Sequence, residues 1–222
     1  MVMRKRKVWV LLAGSGLHDG TEVHEAALVE LALARLGAAV AFCAPDVAQA
    51  HVVDHLRGDL SRAESRSVLI ESARIARGPV ESLASLDLAT VEALVIPGGY
   101  GVVKNLCDYA FRARAAKIEK SVAALIESAN KRGAPIASMC MGNVLVARAL
   151  GHRSVGVSLG WDAMLDADCA SWGARVVKSS AKLAVIDRDS RVASTSAFSG
   201  SSDISIVAEG IDRTIRAALE LG

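Results

Sequence analysis

The sequence predicts an α/β fold in which helices cover both faces of a parallel sheet. Short apolar runs alternate along the chain with longer segments of helical periodicity, which is the pattern of successive βαβ units. The apolar runs are continuous, as expected of strands buried on both faces. Hydrophobic residues make up 52% of the 222 residues and aromatic residues only 4%, so the core has to be built from aliphatic side chains.

The first half of the chain contains three predicted strands. The run V-W-V-L-L-A gives the first of them, and Gly37 ends the helical stripe that follows. The predicted elements are a strand over 8–13, a helix over 21–36, a strand over 38–44, a helix ending at Gly78 within the polar, irregular segment 47–81, and a strand over 93–96.

The second half continues the alternation and ends on a helix. The predicted elements are a helix over 118–131, a strand over 136–139, a helix over 144–150, short strands over 155–159, 175–177, 183–187 and 192–195, and a final helix over 204–221. The chain contains no internal repeat and no low-complexity tract. Its length fits one domain over 1–222.

The charge distribution argues against a nucleic-acid partner. The formal net charge of +2 depends on one basic run, Arg4 to Lys7, and becomes −2 when these four cations are left out. No other dense basic cluster occurs, and few aromatic residues lie between the cations. No apolar stretch reaches the ~18 residues of a membrane span, so neither a nucleic acid nor a membrane is expected as a partner.

The cysteines indicate a reducing compartment and no metal. They form no C-x-x-C pair and have no zinc spacing; they are Cys43, Cys107, Cys140 and Cys169. His51 and His55 are four residues apart, but they lie in the irregular segment and are interpreted as surface residues rather than as a zinc site. We therefore expect no metal, no cofactor and a cytoplasmic location, with a mitochondrial or other organelle location as the alternative if a transit peptide has been removed.

Polar residues follow three of the predicted strands, where an open parallel sheet places its ligand site. They are His18, Asp19, Glu22 and Glu25 after the first strand, Gly98, Gly99, Lys104 and Asn105 after the strand over 93–96, and Cys140, Gly142 and Asn143 after the strand over 136–139. This clustering predicts one catalytic pocket. The candidates for substrate binding around it are Gly98, Asn105, Asp19 and His24.

Cys140 stands at the tip of a predicted strand, with Gly142 and a helix directly after it. This is the arrangement of a nucleophile elbow. The N–H of Met141 would then face the same side as the sulfur and serve as an oxyanion donor. A helix N-terminus stabilises a thiolate, so we expect a thiol pKa below that of free cysteine and the highest reactivity of the four thiols. The alternative is a buried, inert thiol.

Two further segments are candidate partners of the thiol. In P-G-G-Y-G, at 97–101, the glycines allow a close backbone approach and a second oxyanion donor, unless the segment is a plain turn. In T-E-V-H-E, at 21–25, Glu22 and Glu25 share a helix face, and a carboxylate in the first turn can simply complement the helix dipole. Glu25 has apolar neighbours, so its pKa should be raised and it should hold a proton near neutral pH.

Five motifs together resemble one family. They are V-W-V-L-L-A-G, E-V-H-E-A, F-C-A-P-D, V-I-P-G-G-Y-G-V-V-K-N-L and I-A-S-M-C-M-G-N. They are similar to motifs of the ThiJ/PfpI superfamily, which includes the Parkinsonism-associated deglycase and class I glutamine amidotransferase-like proteins. The ElbB glyoxalase-like branch matches best, and its tail motifs S-L-G-W-D and S-I-V-A-E-G-I-D extend the resemblance over essentially the whole chain.

The resemblance implies a flavodoxin-like three-layer sandwich with a mostly parallel sheet, and a homodimer. It assigns Cys140 as the nucleophile, Glu25 as the carboxylate beside the sulfur, and the amides of Gly99 and Met141 as the oxyanion hole. The implied activity is that of a weak glyoxalase or deglycase, which converts small dicarbonyls such as methylglyoxal to hydroxyacids without glutathione.

The sequence departs from the family pattern at two places. The stretch V-G-V-S-L-G-W-D contains no histidine where better-studied members have one, and its ionisable residue is Asp162. Asn143 replaces a proline of the relatives. Slow turnover is therefore expected, and two alternatives stay open. One is a non-catalytic redox or metabolite sensor, and the other is an amidotransferase-like binding subunit without glutaminase activity.

Overall fold

The computed structural model of the protein describes residues 6–222. Within the predicted basic run, Arg4 and Lys5 lie outside the described residues. The strands are β1 (Lys7–Leu11), β2 (Ala39–Ala44), β3 (Val53–Asp54), β4 (Asp59–Leu60), β5 (Glu81–Ser82), β6 (Leu94–Ile96), β7 (Ile136–Met139), β8 (Gly156–Val157), β9 (Arg175–Val176), β10 (Val185–Asp187) and β11 (Val192–Thr195). The helices are α1 (Val23–Arg35), α2 (Val68–Ala76), α3 (Tyr109–Arg112), α4 (Lys120–Lys131), α5 (Gly142–Leu150), α6 (Ala163–Ser171) and α7 (Ile204–Leu219).

Seven strands form the central sheet in the order β10-β11-β7-β6-β1-β2-β5. All neighbouring pairs are parallel except the edge pair β10–β11, which is antiparallel. The predicted α/β fold, flavodoxin-like with a mostly parallel sheet, is confirmed. Four adjacent strands in this order, β11, β7, β6 and β1, bring their carboxyl ends side by side at one edge.

Helices pack on both faces of the sheet, which explains why β1 is apolar after its exposed first residue, Lys7. Val8, Val10 and Leu12 point into one core, together with residues of α1 and α7. Trp9 and Leu11 point into the other core, together with residues of α4 and α5. Because successive side chains of a strand face opposite sides, a strand between two helical layers has no position where a polar side chain meets water.

The irregular segment 47–81 and the region after α5 differ most from the predicted elements. The segment contains the small β3–β4 hairpin, which was not predicted, and α2, which confirms the predicted helix. This helix ends at Ala76, two residues before the predicted stop at Gly78, and is followed by Arg77 with a positive φ of 53°. The predicted strand over 155–159 is reduced to β8, which pairs with β9 outside the central sheet. Helix α6 was not predicted, because its buried face includes Asp168 and so lacks a clear apolar stripe.

Within the described part of the chain, no helix combines the length and the apolar character needed to cross a lipid bilayer.

Candidate active site

The sulfur-bearing turn follows β7 directly. Cys140 has a positive φ of 51°, which is strained for a residue with a Cβ. Its N–H donates to the carbonyl of Thr195 at 3.1 Å, and its carbonyl accepts from the N–H of Asn143 at 3.1 Å. A Cβ on Gly142 would lie 2.5 Å from the carbonyl oxygen of Ile96, so the close approach requires glycine. The backbone has the strand–turn–helix form of the predicted elbow.

The side chain of Asn143 stabilises this turn through hydrogen bonds. Its Nδ2 donates to the carbonyls of Ser158 at 2.6 Å and Thr195 at 2.8 Å, and its Oδ1 accepts from the hydroxyl of Ser138 at 2.6 Å. Asn143 and Ser138 are both fully buried. The residue that stands where relatives have proline therefore fixes the elbow through side-chain hydrogen bonds.

Glu25 lies beside the sulfur and is fully buried on α1. Its Oε2 accepts from the N–H of Gly98 at 2.7 Å and its Oε1 from the N–H of Phe198 at 3.4 Å, and the nearby thiol of Cys140 also favours its charged form. Burial, helped by the charge of Glu22, raises the pKa of Glu25 to about 7 against the opposing effect of these hydrogen bonds. This agrees with the prediction that Glu25 holds a proton near neutral pH.

The glycine loop after β6 closes the third side of the site. A Cβ on Gly98 would lie 2.5 Å from the Cβ of Cys140 and 2.7 Å from Oε2 of Glu25, so Gly98 lies directly against both of these side chains. Gly99 has a φ of 103°. The N–H groups of Gly99 and Met141 lie close to the sulfur and favour its thiolate. The two amides that the family resemblance assigns to the oxyanion hole therefore face the sulfur.

The predicted low pKa of the Cys140 thiol is wrong. Burial and the neighbouring charge of Glu25 raise the pKa of Cys140, and the hydrogen bonds from Ser199, Met141 and Gly99 oppose this rise only in part. The prediction included the stabilising effect of the helix N-terminus on the thiolate but not the loss of hydration that burial of the sulfur causes. Because two buried anions side by side are costly, the thiol and the carboxyl act as one pair, which carries at most a single negative charge and acquires it as the pH rises through about 7.

Burial also raises the pKa of the other three thiols, to about 11 for Cys107 and about 12 for Cys169, and strongly for Cys43. Acidity therefore does not distinguish Cys140 from them. Its surroundings do: of the four thiols in the described residues, Cys140 is the one whose sulfur lies within 3.1 Å of a hydroxyl, that of Ser199. That it is the most reactive thiol stays a prediction.

The turn after β11 supplies two groups that the sequence reasoning missed. The hydroxyl of Ser199 lies 3.1 Å from the sulfur of Cys140, and the N–H of Phe198 is the second donor to Glu25. Ala197, with a φ of 45°, turns the chain toward the site. The rule that selected the other loops, a polar residue just after a buried strand, would have selected this one.

Asp19 and Asn105 are placed in the scaffold of the first loop. Oδ2 of Asp19 accepts from the N–H of Val53 at 2.7 Å. The amide of Asn105 donates to the carbonyls of Ala13 and Asp19, both at 2.9 Å, and accepts from the N–H of Ala50 at 2.9 Å. These bonds tie the loop to the segment after β2 and engage the amide of Asn105 at both ends.

His24 lies at the exposed start of α1. Its Nδ1 is 2.9 Å from Oε1 of Glu22, and its ring packs edge-on against Phe198 at 6.1 Å. Glu22 caps the helix, because its Oε2 accepts from the N–H of Glu25 at 2.6 Å. Glu22 thus has the helix-start role that the sequence left open, whereas Glu25 points inward.

A cavity of about 620 Å³ opens next to the elbow. Its lining residues are His18, Tyr100, Val103, Lys104, Tyr109, Ala110, Met141, Asp162, Met164 and Leu165. Met141, which follows Cys140 directly, belongs to this lining, so the cavity adjoins the elbow, although Cys140 itself is not one of the lining residues. Across residues 6–222, no group of three His, Cys, Asp or Glu side chains is arranged to hold a metal ion.

Gly98→Ala is expected to disrupt the site. The new methyl group has to displace the side chain of Cys140 or Glu25, and overpacking of this kind costs about 1–3 kcal/mol. Urea unfolding and the alkylation rate of Cys140 measure the two effects. Gly78→Ala is the matched control, because a Cβ there meets only the carbonyl oxygen of Ala76 at 3.8 Å. A Gly98→Ala protein of normal stability and reactivity would contradict the contact described above.

Comparison with known proteins gives one consistent group of relatives. No family model matches the chain. The chain is 38% identical over 224 residues to the human glutamine amidotransferase-like class 1 domain-containing protein 3, mitochondrial. The alignment covers 97% of this chain and 83% of that relative. It is 35% identical over 226 residues to the rat ES1 protein homolog, mitochondrial, covering 98% and 84%.

A solved structure supports the same grouping. The isoprenoid biosynthesis protein with an amidotransferase-like domain from Ehrlichia chaffeensis superposes with a TM-score of 0.89 at 30% identity, covering 97% of this chain and 99% of that one.

Proposed function

Because the chain belongs to the family of glutamine amidotransferase-like class 1 domain proteins, within the ThiJ/PfpI superfamily, we propose that it is a cysteine-dependent enzyme of aldehyde metabolism. It converts small 2-oxoaldehydes such as methylglyoxal to 2-hydroxy acids without glutathione. One observation carries the proposal: the sulfur of Cys140 faces the carboxyl of Glu25 and the hydroxyl of Ser199. The same sulfur faces two backbone N–H groups where an oxyanion would form.

The pair of Cys140 and Glu25 activates the sulfur. When the pair holds one proton, its transfer from the thiol to the carboxylate produces a thiolate beside a neutral carboxylic acid. The thiolate then adds to the aldehyde carbon. The oxygen of the hemithioacetal develops a negative charge, which the N–H groups of Gly99 and Met141 stabilise, and the acid of Glu25 returns its proton to that oxygen.

The later steps need no external oxidant or reductant. The carboxylate of Glu25 removes the proton from the former aldehyde carbon while the ketone oxygen gains a proton, which gives an enediol. The hydroxyl on the sulfur-bearing carbon then loses its proton, and a proton is delivered to the neighbouring carbon. The aldehyde carbon is thereby oxidised to a thioester while the ketone carbon is reduced to an alcohol. Water then hydrolyses the thioester, which releases lactate and restores the thiol.

The rate should be low, because no histidine hydrogen-bonds Cys140 within residues 6–222. General acid–base help is worth about 10²- to 10⁴-fold, and here one carboxyl group has to provide it for several steps. We expect turnover well below the ~10 s⁻¹ that is typical of enzymes. For the same reason a glutaminase triad with a histidine is incomplete, which argues against glutamine hydrolysis and is compatible with the alternative of an amidotransferase-like binding subunit without glutaminase activity.

Incubation of the purified protein with methylglyoxal tests the proposal. Lactate should form slowly, and intact-mass measurement should detect a covalent adduct on the peptide that contains Cys140. Neither lactate nor an adduct at saturating methylglyoxal would refute the proposed activity.

Ser199→Ala should slow the reaction of Cys140 by about tenfold at neutral pH, because a hydrogen bond to a charged group contributes roughly 1.5–3 kcal/mol. Competitive alkylation followed by peptide mass analysis measures this rate. Ser201→Ala is the control from the same segment, since the Oγ of Ser201 accepts from the N–H of Asp203 instead. Equal rates in the two variants would remove Ser199 from the site chemistry.

The donors around the sulfur also favour a second candidate function. The N–H groups of Gly99 and Met141 and the hydroxyl of Ser199 could each bind an oxygen of an oxidised Cys140, so a redox sensor would use the same pocket. Peroxide that adds oxygen to Cys140 in a protein that does not turn over methylglyoxal would favour this function.

The compartment and the assembly belong to the proposal as well. The human and rat relatives are mitochondrial by description, which supports the organelle alternative over the cytoplasm for this chain. The homodimer that the family resemblance implies stays a prediction.

A further inference from the structure

Lys104 brings a cation to the cavity beside the nucleophile. It lies on a short π-helical segment, Val102–Leu106, whose residues Val103 and Asn105 are buried on either side of it. Its Nζ donates to the carbonyl of His18 at 2.7 Å. The ammonium group is therefore held at the wall of the cavity by the chain itself, rather than moving freely in solvent.

Two rings lie next to this ammonium group. Nζ of Lys104 is 5.9 Å from the centre of the Tyr100 ring, and the rings of His18 and Tyr100 are stacked 15° from parallel at 6.3 Å. All three residues line the cavity. They form a small wall that combines one fixed positive charge with flat apolar surface.

The acidic group of the cavity lining is already compensated. Asp162 caps the start of α6, and its Oδ1 accepts from the N–H groups of Met164 at 2.8 Å and Leu165 at 3.1 Å. Asp19, the acidic neighbour of Lys104, is buried and is held by the N–H of Val53. Lys104 is half-buried, so its ammonium group has lost part of its hydration. An anion that enters the cavity would compensate for this loss.

The cavity is also larger than methylglyoxal requires. Its volume of about 620 Å³ lies in the range of sites that enclose much bigger ligands. We infer that the cavity binds the anionic end of a longer 2-oxoaldehyde, with Lys104 on its carboxylate or phosphate and the aldehyde carbon at Cys140. This inference rests on the proposed function, because Cys140 is the reacting group in both.

The test compares two alkylating agents of similar size at Cys140, iodoacetate with a carboxylate and neutral iodoacetamide. In each case the sulfur forms a bond to carbon and iodide leaves, so no turnover is needed. We expect Lys104→Met to lower the ratio of the iodoacetate rate to the iodoacetamide rate by about tenfold, as for the loss of one nearby positive charge. Added salt should lower the same ratio in the unchanged protein.

Two further variants make the result specific. Lys131→Met removes an exposed lysine at the end of α4 and should leave the ratio unchanged, while Lys104→Arg should preserve it. An equal ratio in Lys104→Met and the unchanged protein overturns the inference, even if lactate forms. Conversely, a charge-dependent ratio without any lactate from methylglyoxal would support the anion site and refute the proposed activity.

Discussion

Cys140→Ala should abolish the conversion of methylglyoxal to lactate. The substitution removes the atom that adds to the aldehyde, and loss of a nucleophile lowers catalysis by at least about 10³-fold. The fold should persist, because the elbow is held by the backbone of residue 140 and the side chain of Asn143. Lactate assays and far-ultraviolet circular dichroism measure the two properties.

Cys43→Ala is the matched control for the loss of a buried thiol. Cys43 lies inside β2, with its sulfur 3.8 Å from the carbonyl of Val10, on a strand that contributes no group to the site. Activity per folded molecule should therefore be unchanged. Lactate production that survives in Cys140→Ala would place the chemistry elsewhere in the protein.

Glu25→Gln should cause the second largest loss, about 10²- to 10⁴-fold in turnover. Glutamine can still accept from the N–H of Gly98 but cannot take a proton from the thiol. In the unchanged protein, the alkylation rate of Cys140 should rise as the pH passes about 7, where Glu25 loses its proton and the pair becomes singly charged. This rising step should be absent in Glu25→Gln.

The free energy of unfolding should depend on the same proton of Glu25. Because the pKa of Glu25 is raised from 4.5 to about 7 in the folded state, the folded protein holds a proton that the unfolded chain loses. The stabilisation that this proton provides is complete below pH 4.5 and disappears as the pH rises through 7, at a cost of up to roughly 3 kcal/mol. Glu25→Gln should therefore gain stability relative to the unchanged protein over this interval.

Glu22→Gln tests the effect of the neighbouring charge on Glu25 without removing the carboxyl group that transfers the proton. The charge of Glu22 contributes to the raised pKa of Glu25, so its removal should move the rising step to lower pH while leaving the step in place. A step that stays at the same pH in both glutamine variants would show that another group titrates.

The sequence contained enough to locate most of the candidate site. Strands buried on both faces must be apolar throughout, so the first polar residues after them mark the carboxyl edge of the sheet. Cys140, Glu25 and the glycine pair 98–99 were predicted in this way and through the family resemblance. Asn105 was selected by the same rule, although its amide holds a loop, because position in the sequence does not say which way a side chain points.

The orientation of the loop after β11 and the acidity of Cys140 depend on contacts that no local pattern encodes. Ala197 turns Ser199 into the site with a left-handed backbone, and alanine has no preference for that conformation. The pKa of Cys140 is raised by burial under segments that come from distant parts of the chain, and a helix-dipole argument cannot include that burial. Helix α6 was missed because its periodicity is weak.

The distance along the chain between Phe198 and Glu25 has a consequence for folding. The N–H of Phe198 reaches the carboxyl of Glu25 across 173 residues, and the Cys140 elbow closes against the strand that leads to Phe198. Pairings over such separations form late, because much chain entropy is lost before they contribute. A growing or partly folded chain thus exposes an ordinary thiol, and the paired thiol with its pH signature exists only after the last strand has docked. Pulsed alkylation of Cys140 during refolding would therefore show when the last strand joins the sheet.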